Sequence, residues 1–163
     1  MKQLKFNCVE IMLSLLNMTK TTTIRKSCKY IVGDICEVVW TDSLPQKCPS
    51  CACLAEFERI HKRTPNSQEI LSMGTDGFHN GHIIGKVKII SVEKIEINAN
   101  PRICWKLNGY GKTREMDWET KLAESEGFNS VKAMFDYLEK YAPEIKQKAR
   151  PFWLIRFEYV IDE

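Results

Sequence analysis

A chain of 163 residues, 44% hydrophobic and 28% charged, suits one ordinary domain with a full core and excludes a disordered or fibrous chain. With 24 basic and 21 acidic residues the net charge is only +3, which permits a nucleic-acid partner but not bulk electrostatic capture of a duplex. The apolar run at 9–18 is shorter than the roughly 18 residues of a membrane span. No small-residue cleavage site follows it. The expected compartment is therefore cytoplasmic, with no membrane partner.

In chain order, residues 3–6 read as a short strand or an extended lead-in. Val9, Ile11, Met12, Leu15, Leu16 and Met18 recur at helical spacing and predict a short buried helix. The Thr run 19–23, broken only by Lys20, ends it near Asn17 to Thr19. A strand follows around Thr23-Ile24-Arg25, then a turn at Gly33-Asp34 and a strand over 35–40. From 44 to 82 the periodicity weakens, and 53–63 fits either a short helix or a strand. Residues 83–90 and 92–97 alternate as half-buried strands, and 102–107 reads as another. Residues 116–124 look helical, with Gly127 as the stop. Asn129 or Ser130 caps a second helix whose apolar face is Val131, Met134, Phe135, Leu138 and Tyr141, with Pro143 just past its end. Aromatic and β-branched residues over 152–161 predict a closing strand. Strands with about three flanking helices imply an α+β domain with a mainly antiparallel sheet or small β-barrel.

Lys20-Thr21-Thr22-Thr23-Ile24-Arg25-Lys26 sets cations beside three hydroxyls at a predicted helix-to-strand junction. A hydroxyl nucleophile needs a base, and a lysine serves as one only when desolvation or a neighbouring cation such as Arg25 lowers its pKa. Spacing alone favours a basic, Thr-rich strand edge that is solvated or touches phosphate. Glu126, before Gly127-Phe128, reads by itself as a surface carboxylate at a helix end.

Taken together and in order, four segments resemble the ASCH family. They are Lys-Thr-x-Thr-Ile-Arg at 20–25, Tyr-x-x-Gly-Asp at 30–34, Gly85-Lys86-Val87-Lys88-Ile89 followed by Glu126-Gly127-Phe128, and the aromatic strand from Phe152 to Glu158. The resemblance implies a single domain over 1–163 with a PUA-like β-barrel, and an RNA-related role. The domain would bind RNA or a modified nucleoside or nucleotide in a Lys/Thr/Arg/Glu cleft. The site is most similar to the branch of small amidohydrolases that deacylate N4-acetylcytidine. Their triad lysine, threonine and glutamate fall on Lys20, Thr23 and Glu126, and their arginine on Arg25. In that alternative Lys20 takes the Thr23 proton, Thr23 attacks the acyl carbon, Arg25 or a backbone amide stabilises the oxyanion, and Glu126 positions the ammonium or protonates the leaving amine. In the binding reading Lys20, Arg25 and Lys26 meet phosphate. Trp118, flanked by charges, is the expected stacking platform among the four tryptophans.

The insertion at 44–82 lies outside the resemblance. Of the seven cysteines, Cys8, Cys36 and Cys104 sit among apolar residues and read as buried thiols. Cys48, Cys51 and Cys53 with His61 form one four-donor set for a structural zinc, and Cys48 and Cys51 with His79 and His82 form another. Reduced surface cysteines or a redox-sensitive pair explain the same residues. Nothing else in the chain calls for a cofactor.

Overall fold

Seven segments form strands: β1 (Lys2–Phe6), β2 (Thr22–Arg25), β3 (Ile35–Trp40), β4 (His82–Ala99), β5 (Arg102–Asn108), β6 (Gly111–Thr113) and β7 (Arg150–Val160). Between β6 and β7 lie α1 (Trp118–Glu126), α2 (Val131–Tyr141) and a 3-10 turn (Pro143–Lys146). This computed structural model describes residues 1–7, 11, 14–15, 17–41, 58–63, 82–114 and 117–161. The strands are joined in the order β1-β3-β4-β5-β6, with β7 on β4 and β2 on β7. The architecture is α+β with a mixed sheet, and among the described residues its path stays open at β1, β6 and β2.

Two compact units make up the chain. The first comprises Met1–Met18, Ile35–Val87 and Tyr159–Glu163. In it β1 and β3 run parallel, registered from Lys2↔Cys36 to Phe6↔Trp40. A parallel pair needs a long crossover, and residues 7–34 supply it. Leu4, Phe6, Val38 and Trp40 are buried along this pair, and so are Ile11 and Leu15 from the expected early helix. In that segment Ser14 and Leu15 are helical and Ile11 is in a 3-10 turn. Residues 58–61 are helical, which settles the described part of 53–63.

Thr19–Asp34 and Lys88–Glu158 form the second unit. Its β2 and β7, β4 and β5, and β5 and β6 all pair antiparallel. The 30–34 turn docks on β4: Gly33 N–H donates to the Ile89 carbonyl at 2.8 Å, and Ile89 N–H to the Asp34 carbonyl at 2.9 Å. Gly33 has φ +97°, a conformation that glycine adopts without strain. Where the sequence suggests two strands over 83–97, β4 is one strand. Its odd positions Val87, Ile89, Ile95, Ile97 and Ala99 are buried, and polar Ser91 and Glu93 occupy the same row.

Ser130, not Asn129, caps α2: its Oγ accepts from Ala133 N–H at 3.0 Å. Met134, Phe135 and Leu138 are buried from α2, the heart of the expected apolar face. Gly127 ends α1 in a left-handed conformation, with Gly127 N–H donating to Glu124 O and Phe128 N–H to Ala123 O. Glu119 ties α1 to β5. Its Oε1 accepts from Cys104 N–H at 3.2 Å and lies 3.1 Å from Arg114 Nη2. Burial raises the Glu119 pKa, but bonds from its own N–H, Arg114 and Cys104 N–H outweigh this and hold it below the usual carboxylate value. Because the folded pKa is depressed, its stabilisation is present above the unfolded value and lost as pH falls through the folded one. Glu119→Gln is expected to cost about 1–3 kcal/mol at neutral pH. The gap from the parent should narrow in denaturant titrations as the pH falls below the unfolded carboxylate value and vanish below the depressed folded one. Cys36 and Cys104 are buried as expected, and burial first, then the Glu119 charge, pushes the Cys104 thiol above its ordinary range. Cys8 lies outside the described residues.

Candidate functional site

Segment 20–25 is clamped from two sides. Thr21 N–H donates to the Ser125 carbonyl at the end of α1 at 2.8 Å, and Phe157 N–H of β7 donates to the Thr21 carbonyl at 2.9 Å. β2 then pairs with β7 through Thr22↔Arg156, Thr23↔Ile155, Ile24↔Leu154 and Arg25↔Trp153. Successive strand residues point to opposite faces, so Thr22 and Thr23 belong to different surroundings.

Thr22 belongs with the end of α1. Lys20 Nζ donates to the Glu126 carbonyl at 2.7 Å and lies 3.3 Å from Glu126 Oε2. Thr22 Oγ1 donates to the same Oε2 at 2.6 Å. Ser125 Oγ lies 2.9 Å from Thr22 Oγ1 and 3.0 Å from the Leu122 carbonyl, so its one proton has two acceptors. Lys20, Thr22 and Glu126 are 3%, 0% and 4% exposed. A cation at the last carbonyls of a helix satisfies an orphan acceptor and meets the negative end of the dipole. An ion pair this far from water needs further hydrogen bonds, and here Thr22 Oγ1 and the Glu126 carbonyl supply two.

Thr23, 5% exposed, has a different partner: its Oγ1 accepts from Arg25 Nε at 3.0 Å. Half-buried Trp153 stands opposite Arg25, and Lys94 Nζ lies 5.6 Å from its ring centroid. Lys26 donates its backbone N–H to Tyr141 Oη at 3.1 Å, and its Nζ lies 4.8 Å from that ring centroid.

Of the expected residues, Lys20 and Glu126 come together, and Arg25 and Thr23 come together. The hydroxyl hydrogen-bonded to the Lys20–Glu126 pair is that of Thr22, not of Thr23. The expectation for Trp118 needs correction: it is 2% exposed, so its indole has no face for a base. Of its charged neighbours, Glu119 is buried as well, against β5. Thr22, Ser125 and Trp153 were not singled out from sequence. The signal for Thr22 was available, because residues two apart on a strand share a face and Thr22 stands two after Lys20.

The metal expectation falls mostly outside the described residues: Cys48, Cys51, Cys53, His79 and the side chain of His82 lie there. His61 is exposed at the end of the 58–61 helical turn. Among the described residues no group of three or more His, Cys, Asp and Glu is placed to hold a metal ion. Among them also, no helix is long and apolar enough to cross a membrane. Comparison with protein-family models, with curated proteins and with solved structures finds no match to this chain in any of the three.

Proposed function

We propose that the chain is an ASCH-type domain that binds RNA or a nucleotide on the Thr23–Arg25–Trp153 face, with the buried Lys20–Thr22–Glu126 network as the scaffold behind it. The α+β mixed sheet is compatible with the PUA-like barrel that the four sequence segments imply. The observation that carries the binding reading is the cross-strand pair Arg25↔Trp153 with Lys94 over the same indole. Two cations around a half-buried aromatic suit a phosphate and a stacked base. Lys20, meanwhile, is held by two acceptors of Glu126, an arrangement that suits an ammonium rather than a free base.

Titration of a short single-stranded RNA against tryptophan fluorescence tests this. Arg25→Ala is expected to weaken binding about tenfold and to flatten the dependence of affinity on salt. Unchanged affinity in Arg25→Ala and in Trp153→Leu would remove the face from consideration.

A second reading, hydrolysis of an N4-acylated cytidine, has the 2.6 Å bond from Thr22 to Glu126 in its favour and requires the fully buried Thr22 hydroxyl to become accessible to substrate. A short charge-assisted bond of this kind is how a hydroxyl is prepared for attack. The hydroxyl proton would pass to the network as the oxygen adds to the acyl carbon. The amine would leave with a proton, and water would then release the acyl group from the ester. Chromatography of N4-acetylcytidine incubated with Lys20→Ala, Thr22→Ala, Thr23→Ala and Glu126→Ala separates the two threonines. Absence of turnover in the parent chain leaves the binding reading alone.

A further inference from the structure

Antiparallel β4 and β5 are registered only from Ala99↔Arg102 to Ile95↔Lys106. Beyond Lys106, β5 turns to β6 with Lys106↔Thr113 and Asn108↔Gly111. A cavity of about 390 Å³ lies where the strands part, lined by Glu93 and Lys94 of β4, Lys106 and Asn108 of β5, and Thr113 of β6. That volume falls within the range of small-ligand sites.

Glu93 makes this fork more than a gap. It occupies the inward row of β4, where Ile89, Ile95 and Ile97 are fully buried. Its Oε2 is buried and has no hydrogen-bond partner among the described residues; Lys106 Nζ stands 3.9 Å away. A buried acceptor left unbonded costs free energy, and native chains keep few of them. The Glu93 side chain as a whole is 36% exposed, so the carboxylate is reachable from the fork while its Oε2 faces inward with only the Lys106 ammonium near it. The other lining groups are complementary. Lys94 and Lys106 bring positive charge. Asn108, whose Oδ1 accepts Tyr110 N–H at 2.9 Å, retains an NH2 donor. Thr113 brings a hydroxyl.

We propose that the fork between β4 and the β5–β6 hairpin is a separate nucleotide site for a base carrying an exocyclic amine. Glu93 accepts from the amine, Asn108 donates to a ring acceptor, and Lys94 and Lys106 hold the phosphate. A carboxylate reads an amine and repels a carbonyl, so the site prefers cytosine to uracil. Lys94 also lies over Trp153, so the fork adjoins the face proposed above without using Lys20, Thr22, Thr23, Arg25 or Glu126.

Amide chemical shifts of the full chain, titrated separately with cytidine 5′-monophosphate, uridine 5′-monophosphate and inorganic phosphate, test it. The cytidine nucleotide is expected to move residues 92–94, 107–108 and 113, and the uridine nucleotide to bind roughly tenfold more weakly. Glu93→Ala should abolish that preference, and Lys106→Ala should weaken both nucleotides. Shifts confined to 22–26 would sink the fork while sparing the RNA-binding face. Shifts at the fork unaffected by Arg25→Ala would keep the fork even if that face failed. Equal binding of the two nucleotides, or of phosphate alone, overturns base recognition. Should Glu93→Ala disturb the strand, the ratio measured on the parent chain decides alone.

Discussion

Lys20→Met is expected to lower the unfolding free energy by about 3–5 kcal/mol, the typical cost of stranding one member of a buried ion pair. The Glu126 carboxylate, 4% exposed, would keep only its hydroxyl partner Thr22, and the last carbonyl of α1 would lose the ammonium at 2.7 Å. Lys20→Met with Glu126→Leu should recover most of the loss, because an apolar pair of similar volume carries no desolvation penalty. Urea unfolding of the parent, both single variants and the double variant measures this as a cycle. A loss below about 1 kcal/mol for Lys20→Met is what an exposed pair gives, and would contradict the burial of this site. The cycle also bears on function. A strongly stabilising pair with unchanged nucleotide affinity in the double variant fits the scaffold role; abolished affinity assigns the pair to the ligand.

Phe135→Ala should cost a similar amount, about 3–5 kcal/mol. Phe135 is fully buried on α2 beside Met134 and Leu138, and the Arg102 guanidinium lies 5.9 Å from its ring centroid. Truncation removes the ring's transfer free energy and leaves a cavity that a helix packed on a sheet cannot collapse around. For a chain of this size the midpoint of thermal unfolding should fall by roughly 10 °C. Phe135→Leu, which refills most of the volume, should cost much less. A small domain commands only about 5–15 kcal/mol in total, so the alanine variant approaches the limit of a stable fold. Calorimetry of the two Phe135 variants separates cavity formation from loss of the Arg102 contact, because Phe135→Leu removes the ring but refills most of the volume.

Elements governed by near neighbours were legible before the structure. The α2 face, the Gly127 stop, the 33–34 turn and the strands β1, β3, β5 and β7 each follow from spacing within a few residues. The continuous β4 was not, since Ser91 and Glu93 interrupt the apolar row and imitate a strand break. The brief β6 and the 3-10 turn at Pro143–Lys146 were missed because short elements carry little periodicity of their own. The parallel pairing of β1 with β3 was equally hidden, because register between strands separated by a crossover leaves no local trace.

At the candidate site the division is the same. Sequence by itself determined that cations and hydroxyls gather in the short segment 20–26 and that a carboxylate stands at the end of a helix, at Glu126. Only the tertiary structure decided which threonine faces Glu126, that Trp118 is core while Trp153 stands beside Arg25, and that the Oε2 of half-exposed Glu93 is buried with no hydrogen-bond partner among the described residues. These are questions of which side of a strand meets which helix, and that is set by the packing of segments some hundred positions apart, as for Lys20 and Glu126. Local propensity carries no information about it.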